Sequence, residues 1–212
     1  MCQEHHVIVL SDEIHCDLTD PGKEYVPFAS VDAVCRDISI TAVAPSKTFS
    51  IPGIQSSAVI VPNEVLRHKV WRGLNTDECG EPNAFAMDAC IAAWTRGDDW
   101  LDACRQKLYE NKQLIRAYIA EKTPEIRVVK SEATYLLWLD VSRLTDNSSL
   151  LARFIRERTG LILTPGEVYH GNGRHYLRMN AAYPTSQVKD GLERLEKAVM
   201  LWKGSLLNKA AQ

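Results

Sequence analysis

Three short apolar runs constrain the fold of this chain more than any other feature: residues 7–10 (VIVL), 38–43 (ISITAV) and 58–61 (AVIV). Each is free of charged residues and each stops abruptly, at Ser11-Asp12-Glu13, at Ala44-Pro45-Ser46-Lys47 and at Pro62-Asn63. Apolar residues that do not alternate with polar ones predict strands buried on both faces, as in a parallel sheet. Asn63 can accept from the free amides of a first helical turn, which predicts a helix from there through Trp71. Strands alternating with helices predict an α/β layer.

The Gly/Pro-containing loop at residues 80–83 leads into an Ala-rich segment, residues 84–94, expected to be a buried helix ended by Gly97. Asp98 is the expected N-cap of a long helix near 98–122. Leu101, Cys104, Leu108, Ile115, Tyr118 and Ile119 fall on one face of it, and Pro124 closes it. The character of the chain changes along this helix, which predicts a boundary between domains 1–105 and 106–212. The second half reads as strands at 126–129 and 134–140, a helix at 148–159 ended by Gly160, and a strand at 161–163. Gly171-Asn172-Gly173 reads as a hairpin turn before a strand at 176–180. A last helix after Pro184 carries Val188, Leu192, Leu195, Val199 and Trp202 at spacings of four and three. That predicts a sheet with helices on one side, an α+β domain, with residues 208–212 fraying.

Composition narrows the class. Of 212 residues, 45% are hydrophobic and 25% charged, which excludes a disordered chain, a collagen repeat and a coiled-coil rod. A net charge of −2 offers no basic footprint for a nucleic-acid partner. No apolar run approaches the roughly 20 residues of a membrane span, and the start of the chain lacks the pattern of a signal peptide. None of the six cysteines forms a C-x-x-C pair. They are expected to be reduced thiols in a cytoplasmic protein.

In open α/β sheets, functional groups gather at the carboxyl ends of strands. Two such ends carry ionisable residues here, Asp12-Glu13-Ile14-His15 and Ser46-Lys47-Thr48. A lysine directly after a buried strand is costly to bury, and such an amine can become a nucleophile. An ordinary salt-bridged lysine is the competing reading. Lys47-Thr48 is not the end of a phosphate-binding P-loop, because the glycines of that motif are missing. Asp12, His15, His5 and His6 raise the possibility of a metal site, but the spacing is poor and solvated histidines are expected instead. Gly171-Asn172-Gly173 lacks the third glycine and the helix of a dinucleotide loop.

Three strings in order resemble one superfamily: SDEIHCDL at 11–18, PSKTFSIPGIQ at 45–55 and YLRMNAAYP at 176–184. They resemble fold-type-I pyridoxal-phosphate enzymes, most of all the cystathionine β-lyase and cysteine-S-conjugate β-lyase branch related to class I/II aminotransferases. The resemblance implies the fold: an α/β chain made of the C-terminal part of the large cofactor-binding domain plus a smaller α+β C-terminal domain. It implies pyridoxal 5'-phosphate as the cofactor, a homodimer, and an amino-acid substrate.

It also implies roles. Lys47 would be the amine that holds the cofactor aldehyde and then the base at the substrate Cα. Asp12 would face the pyridine nitrogen and favour its protonated form. His15 would make a supporting cofactor contact or orient Asp12. Ser46 would give its hydroxyl to the phosphate, and Arg178 would clamp the substrate carboxylate. Gln55 and Ala44 depart from the aminotransferase pattern, and Gln55 tilts the reading towards C–S cleavage. Asn83 is a candidate for reaching a neighbouring site. The family's phosphate cup and ring-stacking aromatic have no counterpart in this sequence, so the chain is expected to be the C-terminal portion of such an enzyme. An aminotransferase and a non-catalytic assembly module are the alternatives.

Overall fold

In the computed structural model, which describes residues 1–210, the first apolar run becomes β1 (Val9–Asp12). A one-turn helix, α1 (Ala33–Asp37), follows, its N-terminus capped by Asp32 accepting from Cys35 N at 2.7 Å. Next comes β2 (Ser39–Val43), parallel to β1 with Asp12 opposite Ala42. The short helix α2 (Pro45–Thr48) grows directly from the end of β2, with Pro45 preset for its first turn. β3 (Ala58–Ile60) completes a three-stranded sheet of order β1-β2-β3. Asn63 then starts α3 (Glu64–Thr76) by accepting from Leu66 N at 2.9 Å. α4 (Ala86–Arg96) and α5 (Asp98–Lys122) follow, separated by Gly97.

Three expectations are corrected here. β3 runs antiparallel to β2, so among the described residues only the β1–β2 pair is parallel. β1 is an edge strand with alternating exposure, and Leu10 is 70% exposed rather than buried. Edge position explains this: one side of β1 has no neighbouring strand among the described residues. α4 is not a buried helix, because only Ala86 and Cys90 are covered while Met87, Ile91 and Trp94 face outward.

From within the first third of α5 the chain forms a second compact unit; the two are Met1–Arg105 and Gln106–Gln212. The second holds β4 (Arg127–Val128), β5 (Leu136–Asp140), α6 (Ser148–Thr159), β6 (Thr164–Pro165), β7 (Tyr176–Asn180) and α7 (Thr185–Ala210). Its sheet is antiparallel throughout, in the order β4-β5-β7-β6. Leu137, Leu139, Leu177 and Met179 point to one face, where they pack with Ile115 and Ile119 of α5, Leu151 and Ile155 of α6, and Leu192 and Leu195 of α7. Gly160, at φ +74°, closes α6 in the left-handed conformation that glycine adopts freely.

The run at 161–163 is not a strand; pairing starts only at Thr164. The segment between β6 and β7 is longer than a tight hairpin, with 3₁₀ turns at Gly166–Tyr169 and Gly173–His175. A side chain on Gly173 would place its Cβ 2.0 Å from the Gly166 carbonyl oxygen, so the two turns meet backbone to backbone. Of the tail expected to fray at 208–212, residues 208–210 continue α7 and residues 211–212 lie outside the described residues. No helix among the described residues is long and apolar enough to cross a membrane.

Candidate active site

Parallel pairing of β1 with β2 brings two of the predicted residues to one end of one sheet. β1 ends at Asp12, and Glu13 N still donates to Ala42 O at 2.9 Å. From Ala42 the chain runs two residues to the N-cap of α2, Ala44, and Lys47 follows in that helix. Asp12 and Lys47 are thus both carried at the carboxyl ends of adjacent parallel strands, where the loops leave room for ligands in α/β sheets. Both side chains are exposed. The expected burial of Lys47 is corrected for a local reason. Pro45 turns the chain into a helix, which buries Ala44, Pro45 and Thr48 and carries Lys47 outward.

The lysine turn is held from both sides. Thr48 Oγ1, almost completely buried, donates to Asp17 Oδ2 at 2.9 Å, tying α2 to the turn that follows β1. Phe49 packs on the other side: its ring lies where a Cβ on Gly97 would come within 2.4 Å of it, and it tilts against Trp100 at 6.0 Å. Ser46 is half-buried, and its carbonyl accepts from Ile51 N at 3.1 Å. His15 is half-buried in the 13–18 turn, which is closed by Cys16 N to Glu13 O and Leu18 N to His15 O, each 3.0 Å.

The adjacent carboxylates of Asp12 and Glu13 have opposite fates. Asp12 stays in solvent and accepts only from Ile14 N. Glu13 turns inward, accepts from Ser11 Oγ at 2.9 Å and Phe28 N at 3.1 Å, and is hydrogen-bonded by the Tyr25 hydroxyl. Desolvation, together with that bond, pushes the Tyr25 phenol up to about 12. Burial and the neighbouring Asp17 carboxylate likewise push the Cys16 thiol up to about 11, so it is a poor nucleophile at neutral pH. Glu13 was not among the predicted site residues; strand alternation after an exposed Asp12 was the available signal. Gln55 takes a left-handed conformation at φ +51°. Asn83 is engaged within its own unit, donating to Ile54 O and accepting from Phe85 N.

Arg178 belongs to the second unit, in the middle of β7. It is flanked across the sheet by Trp138 of β5 and Thr164 of β6, so all three stand on the face opposite the core. Its guanidinium lies 5.3 Å from the centre of the Tyr169 ring. No carboxylate among the described residues pairs with it. Trp138, Tyr169, Tyr176 and His170 line an open cavity of about 330 Å³ on this face. A larger cavity, about 660 Å³, lies near Arg116, Arg127 and Asp140 and holds none of the predicted residues.

Residues 1–195 match the family model of aminotransferase class I and II, and the chain belongs to that family. It is 38% identical to cystathionine beta-lyase PatB of Bacillus subtilis over 94% of its length, and 31% identical to protein MalY of Escherichia coli over the same share. The crystal structure of cystalysin from Treponema denticola, which contains a pyridoxal 5'-phosphate cofactor, superimposes with a TM-score of 0.89 at 30% identity, covering 94% of this chain and 50% of that one. The chain spans about half the length of the curated relatives it matches: 51% of PatB and 50% of MalY. The expected mixed α/β architecture of aminotransferase-like enzymes is therefore present over that share.

Proposed function

We propose that this chain carries the lysine-bearing part of a pyridoxal-phosphate-dependent carbon–sulfur β-lyase acting on cystathionine or a cysteine S-conjugate. The observation that carries it is the placement of Asp12 and Lys47 at the carboxyl ends of two adjacent parallel strands, with Thr48 and Phe49 fixing the lysine turn. The donor set fits the cofactor: an exposed amine for its aldehyde, an exposed carboxylate for its ring nitrogen, and a hydroxyl at Ser46 for its phosphate. Bound pyridoxal phosphate supplies the electron sink that accepts the pair left at the substrate Cα. Lys47 would hold the cofactor and, once the substrate amine displaces it, its freed amine would take the Cα proton. Asp12 keeps the ring nitrogen protonated, and His15 supports that contact. Arg178, with no carboxylate partner among the described residues, clamps the substrate carboxylate through its two-pronged guanidinium. Loss of the thiol from Cβ and hydrolysis leave pyruvate and ammonia.

The similarity to cystathionine beta-lyase PatB and the glutamine at position 55 favour this reading over amino transfer. The family match to aminotransferases keeps transamination as the second reading. Unit Met1–Arg105 is read as the remainder of the large cofactor-binding domain and unit Gln106–Gln212 as the small domain. A homodimer is supported by the apolar residues that the first unit leaves exposed, and a cytoplasmic setting by six free cysteines. The test supplies the chain with pyridoxal phosphate and L-cystathionine without any 2-oxo acid. Release of pyruvate together with thiol, abolished in Lys47→Ala, is expected. Turnover that requires a 2-oxo acid acceptor would transfer the assignment to the aminotransferases.

A further inference from the structure

We infer that Tyr169 is the positioning residue for Arg178, and that the loop between β6 and β7 is built to hold its ring beneath the guanidinium. The proposal rests on reading Arg178 as the carboxylate clamp. A guanidinium on a half-exposed strand face has many rotamers, and fixing one of them ahead of binding lowers the cost of binding. The usual device is a carboxylate, but a carboxylate would neutralise the charge that must meet the substrate anion. An aromatic face orients the cation and leaves its hydrogen-bond donors free. Tyr169 provides that face at 5.3 Å.

The ring is itself held. Trp138, directly across the sheet from Arg178, meets Tyr169 edge-on at 5.4 Å and 74°, and meets Tyr176 at 5.8 Å and 90°. Such T-shaped contacts are the preferred geometry of aromatic pairs. The loop backbone is equally constrained. Gly166 and Gly173 are in direct backbone contact, and Ser148 Oγ both accepts from Glu167 N at 3.3 Å and donates to Gly173 O at 3.4 Å. His170, next to Tyr169, takes φ +62° with ψ −163°, a conformation costly for a residue with a Cβ. Yet Tyr169 is 47% exposed and lies outside the hydrophobic core, so core packing does not account for this construction.

The test uses the 212-residue chain and two variants, Tyr169→Leu, which removes the ring, and Tyr169→Phe, which keeps it. Two readouts are made: the proton chemical shifts of the Arg178 side chain by NMR, and protection of Arg178 from phenylglyoxal by acetate against chloride at equal ionic strength. Upfield ring-current shifts are expected in the parent chain and in Tyr169→Phe, and their loss in Tyr169→Leu. The acetate concentration that protects should rise about 2- to 5-fold in Tyr169→Leu, the size an exposed cation–π contact carries, and return to the parent value in Tyr169→Phe. Absence of the ring-current shift in the parent chain, or equal acetate protection in the Leu variant, overturns the positioning role. Ring-current shifts without any acetate protection of the parent would instead overturn the clamp reading of Arg178, and with it this proposal's function.

Discussion

The two units of this chain handle the same problem, covering a small sheet, in opposite ways. The second unit closes one face of its sheet with three of its own helices, burying a single cluster that runs from Ile115 to Trp202. In the first, the described buried apolar side chains are only Leu18, Ala44, Pro45, Val61, Ala86 and Cys90, while Leu10, Ile60, Trp71, Phe85 and Ile91 stand exposed. A sheet of three strands with open edges gains little from burial, so its order has to come from local ties. Those ties concentrate where the chemistry is proposed: Thr48 to Asp17, Phe49 against Gly97, and Glu13 gathering Ser11, Phe28 and Tyr25. The second unit is the self-sufficient body, and the first invests its few fixed contacts around the lysine.

The sharpest way to break this contrast is to cut into both sheets. Leu139→Ala, at a fully buried position of β5, is expected to cost about 2–5 kcal/mol by urea unfolding, while Ile60→Ala on exposed β3 should stay within about 0.5 kcal/mol. Equal costs would contradict the division. Next in size is Gly97→Ala. Its Cβ would lie 2.3 Å from the Ala93 carbonyl oxygen and 2.4 Å from the Phe49 ring, so we expect about 1–3 kcal/mol together with a change in Trp100 fluorescence. Thr48→Val removes the donor to a carboxylate and should cost about 1.5 kcal/mol, measured in the same way.

The smallest effect lies in the second unit. Tyr118 donates to Glu196 at 2.6 Å, and this bond, with desolvation, raises its phenol from 10.0 to about 12. A raised acid stabilises the fold while it is protonated. Its contribution is therefore complete below pH 10 and disappears as pH rises towards 12. The stability difference between the parent chain and Tyr118→Phe should shrink across that window.

How much of this was legible in the sequence follows the same division. In the second unit, apolar spacing and punctuation located the helices and the central strands but misread the 161–163 run and the 171–173 turn: α6 occupies the expected 148–159 with Gly160 as its cap, and β7 carries Arg178 as expected, because a helix over a sheet imposes its period on the sequence. In the first unit the periodicity misleads. A charge-free run reads as a doubly buried strand whether or not anything covers it, so the exposure of Leu10 and the antiparallel direction of β3 left no trace in residues 7–10 or 58–61. Among the candidate site residues, Asp12 and Lys47 could be found because they follow strands. Glu13 was within reach of strand alternation after Asp12, whereas Asp17 and Tyr169 were not, because their importance comes from partners 31 and 9 residues away.

The central claim is that the tied turn after β2 presents Lys47 as a cofactor amine. The most direct measurement mixes the purified chain with pyridoxal phosphate, reduces with borohydride, and maps the modified peptide by mass spectrometry. Label is expected to concentrate on Lys47, to be lost in Lys47→Ala and to weaken in Thr48→Val. Label scattered over surface lysines, or unchanged by either substitution, would contradict that claim.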